Sequence, residues 1–161
     1  MRVVVLADTH IRAGRARRLP DQVYAELDRA DAIVHAGDFV DPALVDELRG
    51  FAPLHAVLGN NDHFGGLPET EATVLGGVPV AVVHDSGPRA GRDGRLARRF
   101  PGARVVVYGH SHAPDAHAGL DGQLLFNPGS PTERRGQPHH TYGLLVLEDG
   151  TVASHEIIAV E

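Results

Sequence analysis

The chain has 161 residues, a formal net charge of −6 and a hydrophobic fraction of 42%, a composition typical of a globular protein and unlike that of a disordered or fibrous one. It has no cysteine, which excludes disulfides, thiolate metal sites and cysteine nucleophiles. The 15 basic residues are all arginine, so lysine Schiff bases and a P-loop lysine are excluded too. The acidic balance argues against a stable nucleic-acid complex, and eleven histidines indicate proton or metal chemistry.

The apolar runs of the sequence are short, and the longest cover residues 3–7 and 78–83. A membrane-spanning helix needs about 20 apolar residues, so no membrane segment is predicted. The first residues show neither the charged start nor the long apolar run of a secretory signal, which predicts a cytoplasmic location. With no linker or repeat in view, residues 1–161 are predicted to form one domain.

The first half of the chain alternates between strand and helix patterns. Residues 2–8 are apolar on both faces, as in a strand buried inside a sheet, and Pro20 can begin a helix. Residues 32–35 predict a second strand, Pro42 begins a second helix, and residues 54–58 predict a third strand. This βαβαβ pattern predicts a parallel sheet covered by helices, with functional groups at the carboxyl ends of the strands.

The second half is predicted to be mostly strand. Strands are predicted over residues 72–75, 78–84, 104–108, 123–126, 141–147 and 152–158, and a helix near residues 91–100. Glu148-Asp149-Gly150 predicts the turn of a closing hairpin, and residues 127–138, rich in proline and glycine, predict a long loop. The fold class is therefore predicted to be α/β.

Five of the predicted strands end in polar residues that can bind a metal ion. They are Asp8-Thr9-His10, Gly37-Asp38, Gly59-Asn60-Asn61-Asp62, His84-Asp85 and Gly109-His110-Ser111-His112. Loops that follow strands at the same edge of a sheet lie close together, so these groups are predicted to form one cluster. Carboxylate, imidazole and amide oxygen ligands suit Mn, Fe, Zn or Ni, and calcium alone would take more oxygens and no imidazole.

The motif order D-x-H, G-D, G-N-x-D, H and G-H-x-H resembles that of the calcineurin-like metallophosphoesterases. Asn127-Pro128-Gly129-Ser130 resembles the small YfcE-like phosphodiesterase branch of that superfamily. The resemblance runs from Val3 to about Tyr142, and the five motifs in this order are far more specific than any one alone. It implies a four-layer α-β-β-α sandwich with two stacked mixed sheets.

The resemblance also implies two divalent metal ions, with Mn²⁺ preferred and Fe, Zn or Ni as alternatives. One ion would be bound by Asp8, His10 and His112, and the other by Asn60, His84 and His110. Asp38 would bridge ions about 3.5–4 Å apart. A hydroxide between them would attack a small phosphodiester, so the implied activity is that of a phosphodiesterase, a metal-dependent phosphoric ester hydrolase.

The chain departs from the wider superfamily at positions that matter for the mechanism. Asn61 stands where many members have a histidine that protonates the leaving oxygen, and an amide cannot do this, so good leaving groups are expected to be favoured. Ser86 likewise replaces a second histidine that is common in the branch. Asp38, Asn61 and Asp62 are still expected among the catalytic residues, and Asn61 and Arg135 among those that contact substrate.

Several of these residues have structural alternatives. An aspartate such as Asp8 or Asp62 can cap a helix or form a turn, Asn61 can serve either the loop or a phosphate, and Arg134 and Arg135 can be a solvated pair. His35 is expected in the core, hydrogen-bonded to its surroundings. The histidines expected at the surface are His55, His63, His117, His139, His140 and His155. Two other functions also stay open: a protein-interaction scaffold, as in the retromer sorting subunit that resembles this family, and a phosphomonoesterase or nuclease of the same superfamily. A homo-oligomer is also left open.

Overall fold

The structure is a computed structural model that describes residues 1–160. Its strands are β1 (Arg2–Leu6), β2 (Ala32–His35), β3 (Leu54–Ala56), β4 (Thr70–Leu75), β5 (Val78–Val83), β6 (Val105–Val107), β7 (Asp115–Ala118), β8 (Leu124–Asn127), β9 (Thr141–Glu148) and β10 (Thr151–Ala159). Its helices are α1 (Asp21–Leu27), α2 (Ala43–Arg49) and α3 (Arg92–Arg99). Within residues 1–160, no helix combines the length and the apolar character that crossing a membrane requires.

The strands form two five-stranded mixed sheets. The first has the order β10-β9-β1-β2-β3, in which β1, β2 and β3 run parallel and β9 joins β1 antiparallel. The second has the order β4-β5-β6-β8-β7, in which β5, β6 and β8 run parallel and the two outer strands are antiparallel. The parallel β1-β2-β3 unit, with a helix in each crossover, confirms the predicted βαβαβ half.

The two sheets stack face to face, and the helices cover their outer faces. Side chains alternate along β1, so Val3 and Val5 join an apolar core shared with β5, β6 and β8 of the second sheet. Val4 and Leu6 point the other way and pack with residues of α1 and α2. The only helix against the second sheet among residues 1–160 is α3. The resulting α-β-β-α order confirms the fold that the resemblance implies.

Element boundaries follow the predicted turn chemistry in most places. Helix α2 begins directly after Pro42, whose fixed φ suits a first turn and whose missing N–H costs nothing there. Asp149 and Gly150, with φ of 50° and 75°, form the tight turn between β9 and β10 that the sequence predicts. The sequence pattern does not predict β7, because Asp-Ala-His-Ala has no β-branched residue and no Phe, Tyr or Trp. Pairing with β8 at the sheet edge forms this strand.

Candidate metal centre

Seven residues at the carboxyl ends of the parallel strands converge across the two sheets. We call them the central cluster: Asp8, His10, Asp38, Asn60, His84, His110 and His112. In the half nearest β1, His10 Nε2 lies 3.2 Å from His112 Nε2, and His112 Nε2 lies 3.7 Å from Asp8 Oδ1. One ligand atom from each of these three residues falls within 4.8 Å of the others. They could hold one metal ion.

The other half of the central cluster is built around an amide oxygen. Asn60 Oδ1 lies 2.9 Å from His84 Nε2 and 3.0 Å from His110 Nδ1. The two ring nitrogens are 3.3 Å apart. The three residues that the resemblance assigned to a second ion are therefore brought together by the fold.

Asp38 lies between the two halves. Its Oδ2 is 3.3 Å from His10 Nε2, and its Oδ1 is 3.6 Å from His84 Nε2. Ligand atoms of Asp8, Asp38 and His84 also fall within 4.8 Å of one another. One carboxylate thus faces both halves of the cluster with a separate oxygen for each.

The backbone of the central cluster is unusual. Five of its seven members have positive φ: Asp8 at 54°, His10 at 42°, Asp38 at 62°, His110 at 70° and His112 at 57°. Residues with a Cβ rarely adopt this conformation, which costs on the order of 1–3 kcal/mol each and gathers at functional sites. Backbone hydrogen bonds hold two of them, from Asp8 N to the Gly37 carbonyl at 2.9 Å and from His10 N to the Asp38 carbonyl at 3.0 Å.

Backbone carbonyls orient two of the imidazoles. His84 Nδ1 lies 2.7 Å from the carbonyl oxygen of Ala36, and His112 Nδ1 contacts the carbonyl oxygen of Glu133. A carbonyl only accepts, so each Nδ1 carries the proton and each Nε2 offers a lone pair to the cluster. Burial lowers the pKa of both imidazoles, which keeps that lone pair available. The carbonyl of Glu133 left no signal in the sequence, since every residue has one.

The pKa values of the two buried carboxyl groups shift in opposite directions. Burial, followed by the nearby charge of Asp38, raises the pKa of Asp8 to about 7. Burial would also raise the pKa of Asp38, but hydrogen bonds from His10 and Asn61 outweigh it and hold that pKa below its ordinary value. Asp8 Oδ2 is buried without a hydrogen-bond partner. An orphaned carboxylate oxygen beside neutral imidazoles fits a divalent cation, which would satisfy the oxygen and offset its charge.

Asp62, predicted among the catalytic residues, accepts backbone hydrogen bonds with both oxygens of its carboxylate. Its Oδ2 accepts hydrogen bonds from the backbone N–H of Asp38 at 2.9 Å and of Gly59 at 2.7 Å, and its Oδ1 accepts one from Val40 N at 2.7 Å. The carboxylate therefore ties the loop after β3 to the loop after β2. A Cβ at Gly59 would lie 2.1 Å from Asp38 Oδ1, so only glycine fits beside that oxygen. A direct part for Asp62 in the chemistry stays a prediction.

Asn61 turns its amide toward the central cluster. Its backbone N–H donates to Asp38 Oδ1 at 2.9 Å, and its side-chain Nδ2 donates to Asp38 Oδ2 at 2.8 Å. Asn61 also lines an open cavity of about 470 Å³ together with Arg12 and His63. It is thus in place both to orient Asp38 and to meet a molecule in that cavity.

Histidines outside the central cluster follow the sequence-based expectation in part: His35 lies in the core, and three of the six expected at the surface are exposed. His35 is buried, accepts a hydrogen bond from Gly37 N at 3.1 Å and lies 3.1 Å from Thr9 Oγ1, which in turn donates to the Asp38 carbonyl. Burial lowers the pKa of His35 to about 3, so it is a neutral core residue. Among the histidines expected at the surface, His63, His139 and His155 are exposed, His140 is half-buried, and His55 and His117 are half-buried and paired with carboxylates.

The loop of residues 127–138 closes one side of the site. Ser130 Oγ donates to the Asp8 carbonyl at 2.7 Å, which ties this loop to the loop after β1. Arg135 is exposed and pairs with Glu133, Nε to Oε1 at 3.8 Å. Its charge opposes part of the burial-driven rise in the pKa of Asp8 and adds to the effect of burial in lowering the pKa of His112. Arg134 instead donates to carbonyls of its own loop. Arg135 therefore lies beside the central cluster, and its contact with substrate stays a prediction.

Comparison with known proteins agrees with this geometry. Residues 1–150 match the family model described as the calcineurin-like phosphoesterase superfamily domain. A "probable metallophosphoesterase" of Methanocaldococcus jannaschii is 37% identical over 138 residues, covering 84% of this chain and 70% of that protein. Wild-type Vps29 of Entamoeba histolytica, solved with zinc, has a TM-score of 0.77 at 23% identity, covering 99% of each chain. A structure described as a novel archaeal phosphodiesterase has a TM-score of 0.74 at 19% identity, covering 99% of this chain and 100% of that one. The chain belongs to the calcineurin-like phosphoesterase superfamily.

Proposed function

We propose that the protein is a metal-dependent phosphodiesterase that hydrolyses small phosphodiesters at the central cluster. The observation that carries this proposal is the position of Asp38, with one carboxylate oxygen facing His10 and the other facing His84. A single acid placed this way suits two cations held close together. Superfamily membership supports phosphoester hydrolysis, and the archaeal phosphodiesterase of similar fold supports a diester substrate.

The residues that would hold the two ions follow from the two halves of the cluster. Asp8, His10 and His112 would hold one ion, Asn60, His84 and His110 the other, and Asp38 would serve both. When bound, such ions make water nucleophilic near neutral pH and neutralise the charge that develops on the phosphoryl group. We propose Mn²⁺ as the preferred ion, as the family resemblance implies, and the mixture of imidazole nitrogens with carboxylate and amide oxygens also suits Fe, Zn and Ni.

The protein's own residues prepare the site for this chemistry. The carbonyls of Ala36 and Glu133 fix which nitrogen of His84 and His112 faces inward. Asn61 holds both oxygens of Asp38 with its two N–H donors, which aims the carboxylate at the two halves. These contacts exist before any substrate arrives, so little reorganisation is needed at the moment of reaction.

Asn61 sets the expected preference among leaving groups. An amide can donate a hydrogen bond to a phosphoryl oxygen but cannot supply a proton to a departing alkoxide at neutral pH. General acid catalysis is worth roughly 100- to 10,000-fold, so a chain without it should hydrolyse nitrophenyl diesters far faster than alkyl diesters. Asn61→His should narrow this difference by accelerating the alkyl diester more than the nitrophenyl diester.

The test combines metal content with turnover. Elemental analysis of protein reconstituted with Mn²⁺ should find two ions per chain, and the same sample should hydrolyse bis(4-nitrophenyl) phosphate faster than the matching monoester. One ion or none would contradict the two-ion site. Faster hydrolysis of the monoester than of the diester would contradict the diester assignment. The protein would then be assigned as a phosphomonoesterase.

A protein-interaction scaffold is the second candidate, favoured by the close structural likeness to Vps29. Metal content does not separate the two candidates, because wild-type Vps29 of Entamoeba histolytica was itself solved with zinc. Turnover does separate them. A protein that binds both ions and hydrolyses none of the mono- and diesters would be assigned to the scaffold class.

A further inference from the structure

An arginine-rich segment adjoins the central cluster and has no part in the function proposed above. Residues 12–18 follow the cluster member His10 and contain four arginines. Three of these, Arg12, Arg15 and Arg17, line an open cavity of about 350 Å³ together with His10 and Glu133. The cavity therefore begins at a proposed metal ligand and continues into a basic wall.

The segment is tied to the site at both of its ends. At its start, Ile11 N donates to the Phe39 carbonyl at 3.0 Å, and Asp41 N donates to the Ile11 carbonyl at 3.1 Å. At its far end, Arg17 Nη1 donates to the His10 carbonyl at 3.4 Å and to Glu133 Oε2 at 3.1 Å. The cavity wall thus has a defined place beside His10.

The charges of the three arginines are not equally balanced. Arg17 is paired with Glu133, whereas no hydrogen bond or ion pair occupies the side chains of Arg12 and Arg15 within residues 1–160. Both are exposed. Unpaired guanidinium groups are strong donors for phosphate, because their planar fork matches two of its oxygens. The chain as a whole has a net charge of −6 and does not attract anions. Two unpaired guanidinium groups beside the site therefore attract an anion to this place in particular.

We propose that the substrate carries a second phosphate group, which Arg12 and Arg15 bind while the scissile diester lies at the central cluster. This inference rests on the proposed function and adds the substrate class: a small phosphodiester with a further phosphate on one of its ester arms. Arg12 also borders a second cavity, lined by Asn61 and His63, which has room for the other ester arm. The acidic balance of the whole chain favours a small bisphosphate over a nucleic acid strand.

Binding is measured first, with two ligands that differ only in the second phosphate. Thymidine 3′,5′-bisphosphate and thymidine 5′-phosphate are titrated into the Mn²⁺-loaded protein by calorimetry. The bisphosphate should bind about 10- to 100-fold more tightly, as expected for hydrogen bonds to charged groups, and the preference should shrink as salt is added. Equal affinities would overturn the proposal, and so would a ten-residue oligothymidylate that binds more tightly than the bisphosphate.

A double variant tests whether Arg12 and Arg15 cause the preference for the bisphosphate. Arg12→Gln/Arg15→Gln should reduce the ratio of the two affinities to near one, and circular dichroism checks that it is folded. The matched control, Arg29→Gln/Arg98→Gln, removes the same charge from exposed positions that do not line the cavity, and it should keep the ratio. A preference that survives in the first variant, or is lost equally in the control, would overturn the assignment.

Turnover separates this inference from the proposed function. Thymidine 5′-(4-nitrophenyl phosphate) and its 3′-phosphorylated form share one scissile bond, and the ratio of their kcat/KM values should fall about 10- to 100-fold in Arg12→Gln/Arg15→Gln. If both are hydrolysed with no preference, the second-phosphate site is wrong and the phosphodiesterase stands. If neither is hydrolysed but the binding preference is present, the site stands and the phosphodiesterase is wrong.

Discussion

Two clusters of histidine and aspartate differ in their hydrogen bonding, and of the two only the central cluster brings ligand atoms together as a metal site does. In the central cluster, imidazole and carboxylate atoms converge, and Asp8 Oδ2 is buried without a partner. In the other cluster, formed by Asp93, Asp115 and His117, each ring nitrogen of His117 has its own carboxylate at 3.0 Å. Tyr108 donates a further hydrogen bond to Asp115 at 2.7 Å.

The difference lies in hydrogen bonding, since both clusters combine histidine with aspartate. Around His117 every donor faces an acceptor, and the ring is half-exposed, so the arrangement is already complete. In the central cluster, carbonyls occupy the outer ring nitrogens of His84 and His112 and leave the inner ones facing other acceptors. Acceptors that face acceptors are costly when buried, and a cation is what relieves that cost.

Exchanging a carboxylate for an amide should have its largest effect in the central cluster. Asp38→Asn keeps the side-chain volume but removes the charge between the two halves, so kcat for a nitrophenyl diester should fall on the order of 10³-fold. Asp115→Asn makes the same exchange in the cluster around His117, where every donor already has an acceptor, and should leave kcat unchanged. Steady-state kinetics on folded, metal-loaded variants measures both. Equal losses in the two variants would mean that the clusters are not distinct.

Metal removal should affect stability through the central cluster alone. Mn²⁺ at 100 times its Kd should stabilise the fold by about 2.7 kcal/mol relative to chelated protein, raising the midpoint of thermal unfolding by about 5–10 °C. His112→Ala should reduce this shift, whereas His117→Ala should keep it. An unfolding midpoint that changes with neither Mn²⁺ nor chelator would contradict the assignment of the metal site to the central cluster. Loss of the Mn²⁺-dependent shift in His117→Ala would contradict it as well.

Acid should destabilise the protein through the buried histidine beside the central cluster. The pKa of His35 is lowered from 6.5 to about 3 by burial, so between these values the unfolded chain binds more protons than the folded one. Stability therefore falls as the pH drops below 6.5, by about 1.4 kcal/mol per pH unit for one such group.

His35→Gln isolates this contribution, because glutamine can accept and donate similar hydrogen bonds but takes no proton. Urea unfolding of chelated protein at several pH values should show a shallower loss of stability in His35→Gln than in the native chain. Parallel curves for the two proteins would show that His35 does not titrate in this window.

The smallest effect, with the opposite sign, is expected at His117. The hydrogen bond with Asp93 raises its pKa above 6.5 against the opposing effect of burial, and the charges of Asp115 and Asp93 add to the rise. Its pairing therefore stabilises the fold below pH 6.5 and is lost as the pH rises through the raised pKa. Partly exposed pairs contribute less than about 1 kcal/mol, so His117→Gln should lower the unfolding midpoint slightly at pH 6 and hardly at pH 9. A larger loss at pH 9 would contradict this sign.

The sequence predicts the strands and the members of the central cluster well, because both follow from local patterns. Short β-branched runs that end in aspartate, asparagine or histidine indicate a buried strand and a polar loop at once. Strand β7 escapes prediction because its neighbour β8 forms it. The hydrogen bond of the Glu133 carbonyl cannot be predicted for a different reason. It depends on the path of the backbone in the folded protein, and the type of side chain at residue 133 does not determine that path.

Asp62 and the arginine segment show a further limit of prediction from sequence. The spacing of Asp62 after Gly59 is that of a chemical motif, yet its oxygens serve three backbone N–H groups, a pattern visible only once the two loops are placed together. Arg12 and Arg15 belong to a segment whose sequence suits a solvated loop. Their relation to His10 appears only with the cavity they share.

The position of β1 between β2 and β9 has a consequence for synthesis on the ribosome. β1 ends at Leu6, and its antiparallel neighbour β9 begins only at Thr141. At about 5–20 residues per second, roughly 7–27 s separate the two strands during translation. Throughout that interval the nascent chain carries one apolar strand edge without its partner, an open template for pairing with other chains. Slower translation of the second half should therefore lower the yield of folded protein, and chaperones that shield strand edges should restore it.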